Sequence, residues 1–147
     1  MSDNAKWDQR FMELAGFIAQ WSKDPSTKVG AVITHTKSRR IVSTGFNGFP
    51  AGVEDTDNRL LDRSVKYEMI VHAEQNALMF AGPRAEGCTL YVTPLAPCAR
   101  CSALIIQAGI QRVVSLKPAF DHERWGEAAR ISRVMFGEAG IAWDWEE

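Results

Sequence analysis

Two short polar segments, separated by a run of strand-forming residues, constrain this chain more than any other feature of its sequence. The first segment holds His72 and Glu74, and the second reads Pro97-Cys98-Ala99-Arg100-Cys101. Proline suits the entrance of a helix, and cysteines three positions apart lie on one helical face. With the predicted strand Thr89–Thr93 between the segments, two helix amino ends can converge on one point.

This spacing is typical of a metal site. One imidazole and two thiolates, from His72, Cys98 and Cys101, give three protein ligands and leave a fourth position open to water, as in catalytic zinc sites. The partial positive charge at helix amino ends favours thiolate over thiol. The odd total of three cysteines also differs from the even disulfide framework of small secreted domains. The sequence therefore predicts a catalytic zinc site.

Glu74 is the predicted proton carrier of this site. Two thiolates formally cancel the charge of Zn²⁺, so the ion should acidify a water molecule less than it does among three histidines. A carboxylate two residues from His72 can take that proton as a general base. The plainer alternative for Glu74 is a first-turn charge favoured by the helix dipole. A closed structural zinc site would need a fourth ligand from Cys88, His35 or His122.

Hydrophobic periodicity predicts alternating helices and strands. Apolar residues from Trp7 to Trp21 recur at helical spacing, which predicts a helix that ends before Asp24-Pro25. The polar stretch from Ala51 to about Lys66 is predicted to be a long functional loop. The other predicted elements are strands at Lys28–Thr34, Arg40–Gly45, Thr89–Thr93, Arg112–Leu116 and Ile141–Trp145, and helices at about Tyr67–Phe80, Cys98–Ala108 and Arg124–Ala139. This order predicts an α/β fold: a three-layer α/β/α sandwich around a mixed sheet of about five strands.

The composition of the chain indicates which kinds of molecule it can bind. The chain is predicted to form a single domain over residues 1–147, and its formal net charge of −1 gives no general attraction to nucleic acid. The amino-terminal MSDNAKWDQRF lacks the basic-then-apolar order of a signal peptide, and no apolar run is long enough to span a membrane. We therefore expect a cytoplasmic protein with a small-molecule partner and with neither nucleic acid nor membrane as a partner.

H-x-E followed by P-C-x-x-C is the signature of zinc-dependent nucleobase deaminases. In these motifs and beyond them, the chain resembles the cytidine/deoxycytidylate deaminase superfamily, in particular its deoxycytidylate deaminase branch. The segments that carry the resemblance are DPSTKVGAVI (24–33), FNGFPAG (46–52), KYEMIVHAE (66–74), HAEQNAL (72–78), GCTLYVT (87–93), PCARC (97–101) and LIIQAGIQRVV (104–114).

The resemblance implies a cytidine deaminase-like fold and the zinc-dependent hydrolysis of dCMP to dUMP and ammonia in pyrimidine nucleotide metabolism. It implies that Glu74 protonates the ring nitrogen N3 and then the leaving amino group. It further implies that Asn47 contacts the sugar, that the backbone at Ala73 contacts the base, and that the chain forms a homo-oligomer. Asn47-Gly48 also fits a simple turn. No further cysteine/histidine cluster is available for a second zinc ion, so we expect one per chain.

The chain departs from the family at Trp21 and Ala51, where basic residues are frequent. Lys28, Lys66 or Arg124 could contact a phosphate instead. Three other functions remain open: deamination of CMP or deoxycytidine, editing of a tRNA adenosine, and a structural or regulatory nucleotide-binding module. The charge balance argues against tRNA, and the intact Glu74 argues against a non-catalytic module.

Overall fold

A computed structural model describes residues 3–146 of the chain. Residues 1, 2 and 147 of the predicted domain lie outside the described residues. The helices are α1 (Asp3–Ala19), α2 (Asp57–Leu61), α3 (Arg63–Met69), α4 (Ala73–Ala81), α5 (Ala99–Gln107) and α6 (Gly126–Ala139), and the strands are β1 (Gly30–His35), β2 (Ile41–Phe46), β3 (Cys88–Thr93), β4 (Arg112–Leu116) and β5 (Ala142–Glu146). Within the described part of the chain, no helix combines the length and apolar character needed to cross a membrane.

The five strands form one mixed sheet in the order β2-β1-β3-β4-β5. β1 runs antiparallel to both β2 and β3, whereas β3, β4 and β5 are parallel. Helix α1 packs on one face against β1 and β3, and α4, α5 and α6 contribute to the core on the other face. The predicted three-layer sandwich around a five-stranded mixed sheet is confirmed.

Alternation along the strands divides the core into two layers, since successive strand residues point to opposite faces. Val32 and Tyr91 pack with Phe11 of α1 on one side. Their strand neighbours Ile33 and Leu90 are fully buried on the other side. Both neighbours share that layer with residues of the three helices, Ala77 of α4, Ile105 of α5 and Phe136 of α6. The candidate site lies on this second side, at the start of α4 and α5.

The prediction of a single helix at about Tyr67–Phe80 is wrong, because the chain forms two helices there. Helix α3 ends at Met69 and α4 begins at Ala73. Between them, Val71 forms a two-way backbone bridge with Gly48, at 2.8 and 3.1 Å. The next residue, His72, has extended backbone angles (φ −73°, ψ 156°). A long-range backbone pairing therefore interrupts a helical pattern that continues in the sequence.

The long loop predicted from Ala51 to Lys66 contains α2 and the start of α3. The Thr56 side chain caps α2 by accepting a hydrogen bond from the amide of Arg59. Asp62 caps α3 in the same way by accepting from the amide of Val65. Such caps satisfy amide groups that a helix leaves free at its amino end, and they explain how short helices form in a polar segment.

Gly45 allows α4 to lie directly on strand β2. A Cβ atom at this position would lie 2.5 Å from the Ala73 carbonyl oxygen and 2.6 Å from the Ala77 amide nitrogen. Both are backbone atoms, so neither can rotate away. On the same strand the Ser43 hydroxyl donates a hydrogen bond of 2.8 Å to the Ala77 carbonyl. Strand β2 thus sets the position of the first two turns of α4.

We predict that Gly45→Ala destabilises the protein by about 1–3 kcal/mol, because the added methyl group must push α4 off the sheet. Denaturant unfolding of the purified variant measures the change in the free energy of unfolding. The control is Gly137→Ala in α6, where an added Cβ meets no atom within 4 Å. That variant should be as stable as the wild type or more stable, since alanine favours helices over glycine. Equal stability of Gly45→Ala and the wild type would contradict this account of α4.

Candidate active site

The amino ends of α4 and α5 meet, and residues at these ends form the candidate site. His72 is the N-cap residue of α4, and Cys98 is the N-cap residue of α5. Cys101 lies three residues after Cys98, and its amide donates to the Cys98 sulfur at 3.5 Å. The four amide groups at a helix amino end lack partners within the helix and carry partial positive charge. This partial charge favours the anionic form of Cys98, the N-cap residue of α5.

The three predicted metal ligands lie within reach of one ion. The Nδ1 atom of His72 is 3.1 Å from the Cys101 sulfur and 3.7 Å from the Cys98 sulfur, and all three donor atoms lie within 4.8 Å of one another. Ligands bound tetrahedrally at about 2.0 Å for nitrogen and 2.3 Å for sulfur are separated by about 3.5 Å. The donor set and its spacing therefore fit zinc, with Nδ1 as the donor of His72.

No fourth His, Cys, Asp or Glu belongs to this group among residues 3–146. Cys88 is buried, and its sulfur contacts the Arg84 carbonyl oxygen at 3.1 Å. His35 lies next to Cys88, at 4.0 Å from its sulfur. His122 accepts backbone hydrogen bonds in the loop before α6. The geometry thus fits a three-ligand catalytic site better than a closed structural one.

The protonation of the metal-free site reflects the close contact of its sulfur atoms. The hydrogen bond with the Cys101 thiol lowers the pKa of Cys98 to about 4, and the contact with His72 acts in the same direction. The pKa of Cys101 is raised in turn, because its proton is held by Cys98 and its side chain is buried. The Cys98 thiolate also raises the pKa of His72. Zinc binding must therefore displace protons from this cluster.

Glu74 lies in the first turn of α4, beside the cluster. Only 4% of its surface is exposed, and burial raises its pKa to about 7 in the metal-free site. Its carboxylate accepts a hydrogen bond from the Cys101 thiol. A carboxyl group with a pKa near neutrality can both accept and donate a proton under ordinary conditions. A pKa raised by burial, in a carboxyl group next to a cluster of metal ligands, is characteristic of catalytic acids and bases.

The two predicted substrate contacts, Asn47 and Ala73, are both buried. Ala73 is completely buried as the first residue of α4, and its amide is one of the free groups of that helix end. Asn47 is 6% exposed, and its side chain is held by backbone groups. Its amide oxygen accepts from the Val29 amide at 2.9 Å, and its amide nitrogen donates to the Thr27 carbonyl at 3.0 Å.

Asp24 and Lys66 form an ion pair that the sequence did not predict. The Lys66 ammonium lies 3.1 Å from the Asp24 carboxylate, and only 11% and 5% of the two side chains are exposed. Lys66 is therefore engaged with a protein carboxylate and is not a free phosphate contact. The one local signal was Asp24-Pro25-Ser26, a sequence that favours an aspartate-capped turn. Asp24 indeed accepts from the amides of Ser26 and Thr27.

The positions that depart from the family, and the other proposed phosphate contacts, are on the surface. Trp21 is 55% exposed and packs edge-on against Phe46, with 6.1 Å between the ring centres. Ala51 and Lys28 are exposed. Arg124 is also exposed, and its guanidinium lies 5.8 Å from the ring centre of Trp125. None of these contacts identifies a phosphate site.

The sequence of the chain is similar to those of known deaminases. Residues 5–117 match the cytidine and deoxycytidylate deaminase zinc-binding region. A deaminase of Aliivibrio fischeri, described as uncharacterized, is 47% identical over 96% of this chain and 94% of its own length. Human deoxycytidylate deaminase is 37% identical over 95% of this chain and 79% of its own length.

A solved structure is similar over the whole domain. It is the dCMP deaminase of cyanophage S-TIM5 in complex with dCMP and dUMP, with a TM-score of 0.76, 27% identity and coverage of 99% of both chains. The family match covers most of the chain and includes both segments that form the metal cluster. The chain therefore belongs to the zinc-binding cytidine and deoxycytidylate deaminase family.

Proposed function

We propose that this protein is a zinc-dependent deaminase that hydrolyses dCMP to dUMP and ammonia. The observation that carries the proposal is the buried Glu74 carboxyl beside the cluster of His72, Cys98 and Cys101. The choice of dCMP is supported by relatives named deoxycytidylate deaminase that are 37–38% identical over 95% of this chain. It is further supported by the similar phage enzyme solved with dCMP and dUMP.

The imidazole Nδ1 of His72 and the sulfur atoms of Cys98 and Cys101 would hold the zinc ion. When bound, zinc supplies a Lewis acid that lowers the pKa of a water molecule at its open position. The two thiolates cancel the formal charge of the ion, so the protein must supply a base for the water proton. The amino ends of α4 and α5 stabilise the thiolates, and the contact of Cys98 with His72 acts in the same direction.

Glu74 moves the protons of the reaction. Water loses one proton to the carboxylate and adds its oxygen to C4 of the cytosine ring, while Glu74 passes a proton to N3. Glu74 then takes the proton of the new hydroxyl group on C4 and delivers it to the amino group, which leaves as ammonia when the C4–N4 bond breaks and the C4 carbonyl forms. The products are dUMP and ammonia, so the water atoms are fully accounted for. Burial raises the pKa of this carboxyl to about 7 in the metal-free site, near the value at which a group can both accept and donate protons.

Substrate binding completes the proposal. Asn47 is assigned to the sugar, and the backbone of Ala73, at the amino end of α4, is assigned to the base. The single domain over residues 1–147 and its cytoplasmic location also remain proposals. Homo-oligomer formation is supported by large apolar side chains on the surface, such as Phe17, Met79 and Phe80, which are at least 60% exposed. Exposed apolar groups of this size often mark protein interfaces.

Substrate choice is tested by ammonia release from dCMP, CMP and deoxycytidine at matched concentrations, with the zinc-loaded protein. We expect dCMP to give the highest kcat/KM, because Asn47 is assigned to the sugar and the similar phage enzyme is solved with dCMP and dUMP. A tRNA with an adenosine at the wobble position serves as the polymer substrate, and we expect no inosine. Activity confined to deoxycytidine would overturn the nucleotide assignment, and inosine formation would favour the editing alternative.

Replacing Glu74 by Gln removes the proton carrier but keeps the shape of the side chain. We expect kcat to fall by about 10²- to 10⁴-fold, with zinc content and the unfolding transition close to those of the wild type. Glu138→Gln, at an exposed position of α6, is the matched control and should retain full activity. Undiminished turnover by the Glu74→Gln variant at one zinc per chain would refute the proton-transfer role.

A further inference from the structure

Asp24 and Lys66 form a buried ion pair that connects two distant parts of the chain. The distance from the Lys66 Nζ atom to the Asp24 Oδ1 atom is 3.1 Å, across 42 positions of sequence. The same carboxylate accepts from the amides of Ser26 and Thr27, at 2.8 and 3.2 Å. The pair therefore fixes the loop before β1 to helix α3.

The second oxygen of Asp24 faces Asn47. The Asn47 Nδ2 atom donates to Asp24 Oδ2 at 3.4 Å and to the Thr27 carbonyl at 3.0 Å, while its Oδ1 atom accepts from the Val29 amide. The Ser22 hydroxyl donates to the Asn47 carbonyl at 2.8 Å. Asp24 thus helps to determine which way the Asn47 side-chain amide points. The Asp24 carboxylate can only accept hydrogen bonds, so the NH₂ group of Asn47, and not its oxygen, must face it.

The network also reaches the metal cluster. Gly48, next to Asn47, is bridged in both directions to Val71, which directly precedes His72. Lys66 lies in the last turn of α3, and the same short connection leads from it to His72. The Asn47–Gly48 segment and the His72 segment are therefore tied together on one side by the backbone bridge and on the other by the ion pair.

A buried ion pair is weak evidence for a stabilising role, since desolvation of two charges offsets much of their attraction. A buried ion pair is better suited to fixing one arrangement of side chains than to stabilising the fold. Any other arrangement would leave a buried charge without its partner. Here the geometry that is held includes the proposed sugar contact and the strand-like segment before a metal ligand. No other described ion pair combines such low exposure of both partners with contact to a site residue.

We infer that the Asp24–Lys66 ion pair is a positioning element of the active site, which orients the Asn47 side chain for the deoxyribose of the substrate. Lys66 neutralises Asp24, and the neutralised carboxylate aligns the Asn47 amide. Neither charged residue contacts the substrate in this role. The inference rests on the proposed function, because it uses the assignment of Asn47 to the sugar.

The test uses Asp24→Asn and Lys66→Met in the zinc-loaded protein. In the first variant an NH₂ group must face either the NH₂ of Asn47 or the Lys66 ammonium, so one donor always opposes another. We expect KM for dCMP to rise roughly tenfold, as after the loss of one hydrogen bond to substrate, with kcat within about twofold. Lys66→Arg keeps the charge beside Asp24 and should keep KM near the wild-type value.

The discriminating measurement is a double-mutant cycle with Asn47→Ala. If the ion pair acts through Asn47, the Asp24→Asn change raises KM no further in the Asn47→Ala background. If the increase in KM of the double mutant is the product of the increases in the two single mutants, the inference is overturned. A fall in kcat at unchanged KM, which is the result of a smaller folded fraction, would overturn it as well. Should Asp24→Asn and Lys66→Met fail to fold, Asp24→Glu displaces the carboxylate by one methylene group, retains its charge and carries the same expectation.

The matched control is Asp8→Asn, which breaks the ion pair of Asp8 with Arg112 beneath α1. It should lower the stability of the protein and leave KM unchanged. A readout without substrate is hydrogen exchange of the Asn47 side-chain amide, followed by NMR. We expect Asp24→Asn to accelerate this exchange and Asp8→Asn to leave it unchanged. Equal exchange in wild type and Asp24→Asn would defeat the inference, whereas a wild-type protein inactive on dCMP would defeat only the proposed function.

Discussion

The anionic sulfur of Cys98 at the amino end of α5 is the interaction on which the rest of the site depends. Its negative charge is stabilised by helix amides, by the Cys101 thiol and by His72, and these contacts lower its pKa to about 4. One of the two sulfur ligands is therefore anionic before zinc binds, whereas the raised pKa values of Cys101 and His72 mean that zinc must displace protons from these two groups. Because two thiolates neutralise Zn²⁺, the cost of this solution is a less acidic water molecule. In the proposed mechanism Glu74, which is buried on the neighbouring helix, compensates for that loss.

The sheet makes this meeting of helix ends possible. α5 follows β3 directly, and α4 is fixed against β2 through the missing side chain of Gly45. The backbone bridge between Gly48 and Val71 then places His72 at the start of α4 with an extended conformation. The site is thus supported on both sides by backbone contacts, which side-chain motion cannot relax. Such support is what a metal site with an open position requires, since its ligands must stay in place when the fourth ligand changes.

The strands and the main helices could be predicted because their pattern is local. β1 and β3 alternate between two buried faces, and the helical spacing of α1 is visible from Trp7 onward. The break before His72 could not be predicted in this way, because it results from pairing with Gly48, which lies far away in sequence. The same holds for the ion pair of Asp24 and Lys66.

Some features of the site could be predicted from local sequence patterns and others could not. His72, Glu74, Cys98 and Cys101 could be identified because their spacing is a chemical pattern, and the structure brings them together. The orientation of the Asn47 side chain depends on hydrogen bonds with Asp24, Thr27 and Val29, which are 23, 20 and 18 positions away in the sequence, so no local pattern predicts it. The groups with a proposed chemical role could therefore be predicted from the sequence, whereas the arrangement of the proposed substrate contact depends on long-range hydrogen bonds.

X-ray absorption spectroscopy at the zinc K-edge tests the central claim most directly, because it counts the ligands of the bound ion. The account predicts two sulfur atoms at about 2.3 Å and two nitrogen or oxygen atoms at about 2.0–2.2 Å, one from imidazole and one from solvent. A zinc shell with no sulfur, or with three sulfur atoms, would contradict the assignment of His72, Cys98 and Cys101 as the complete set of protein ligands.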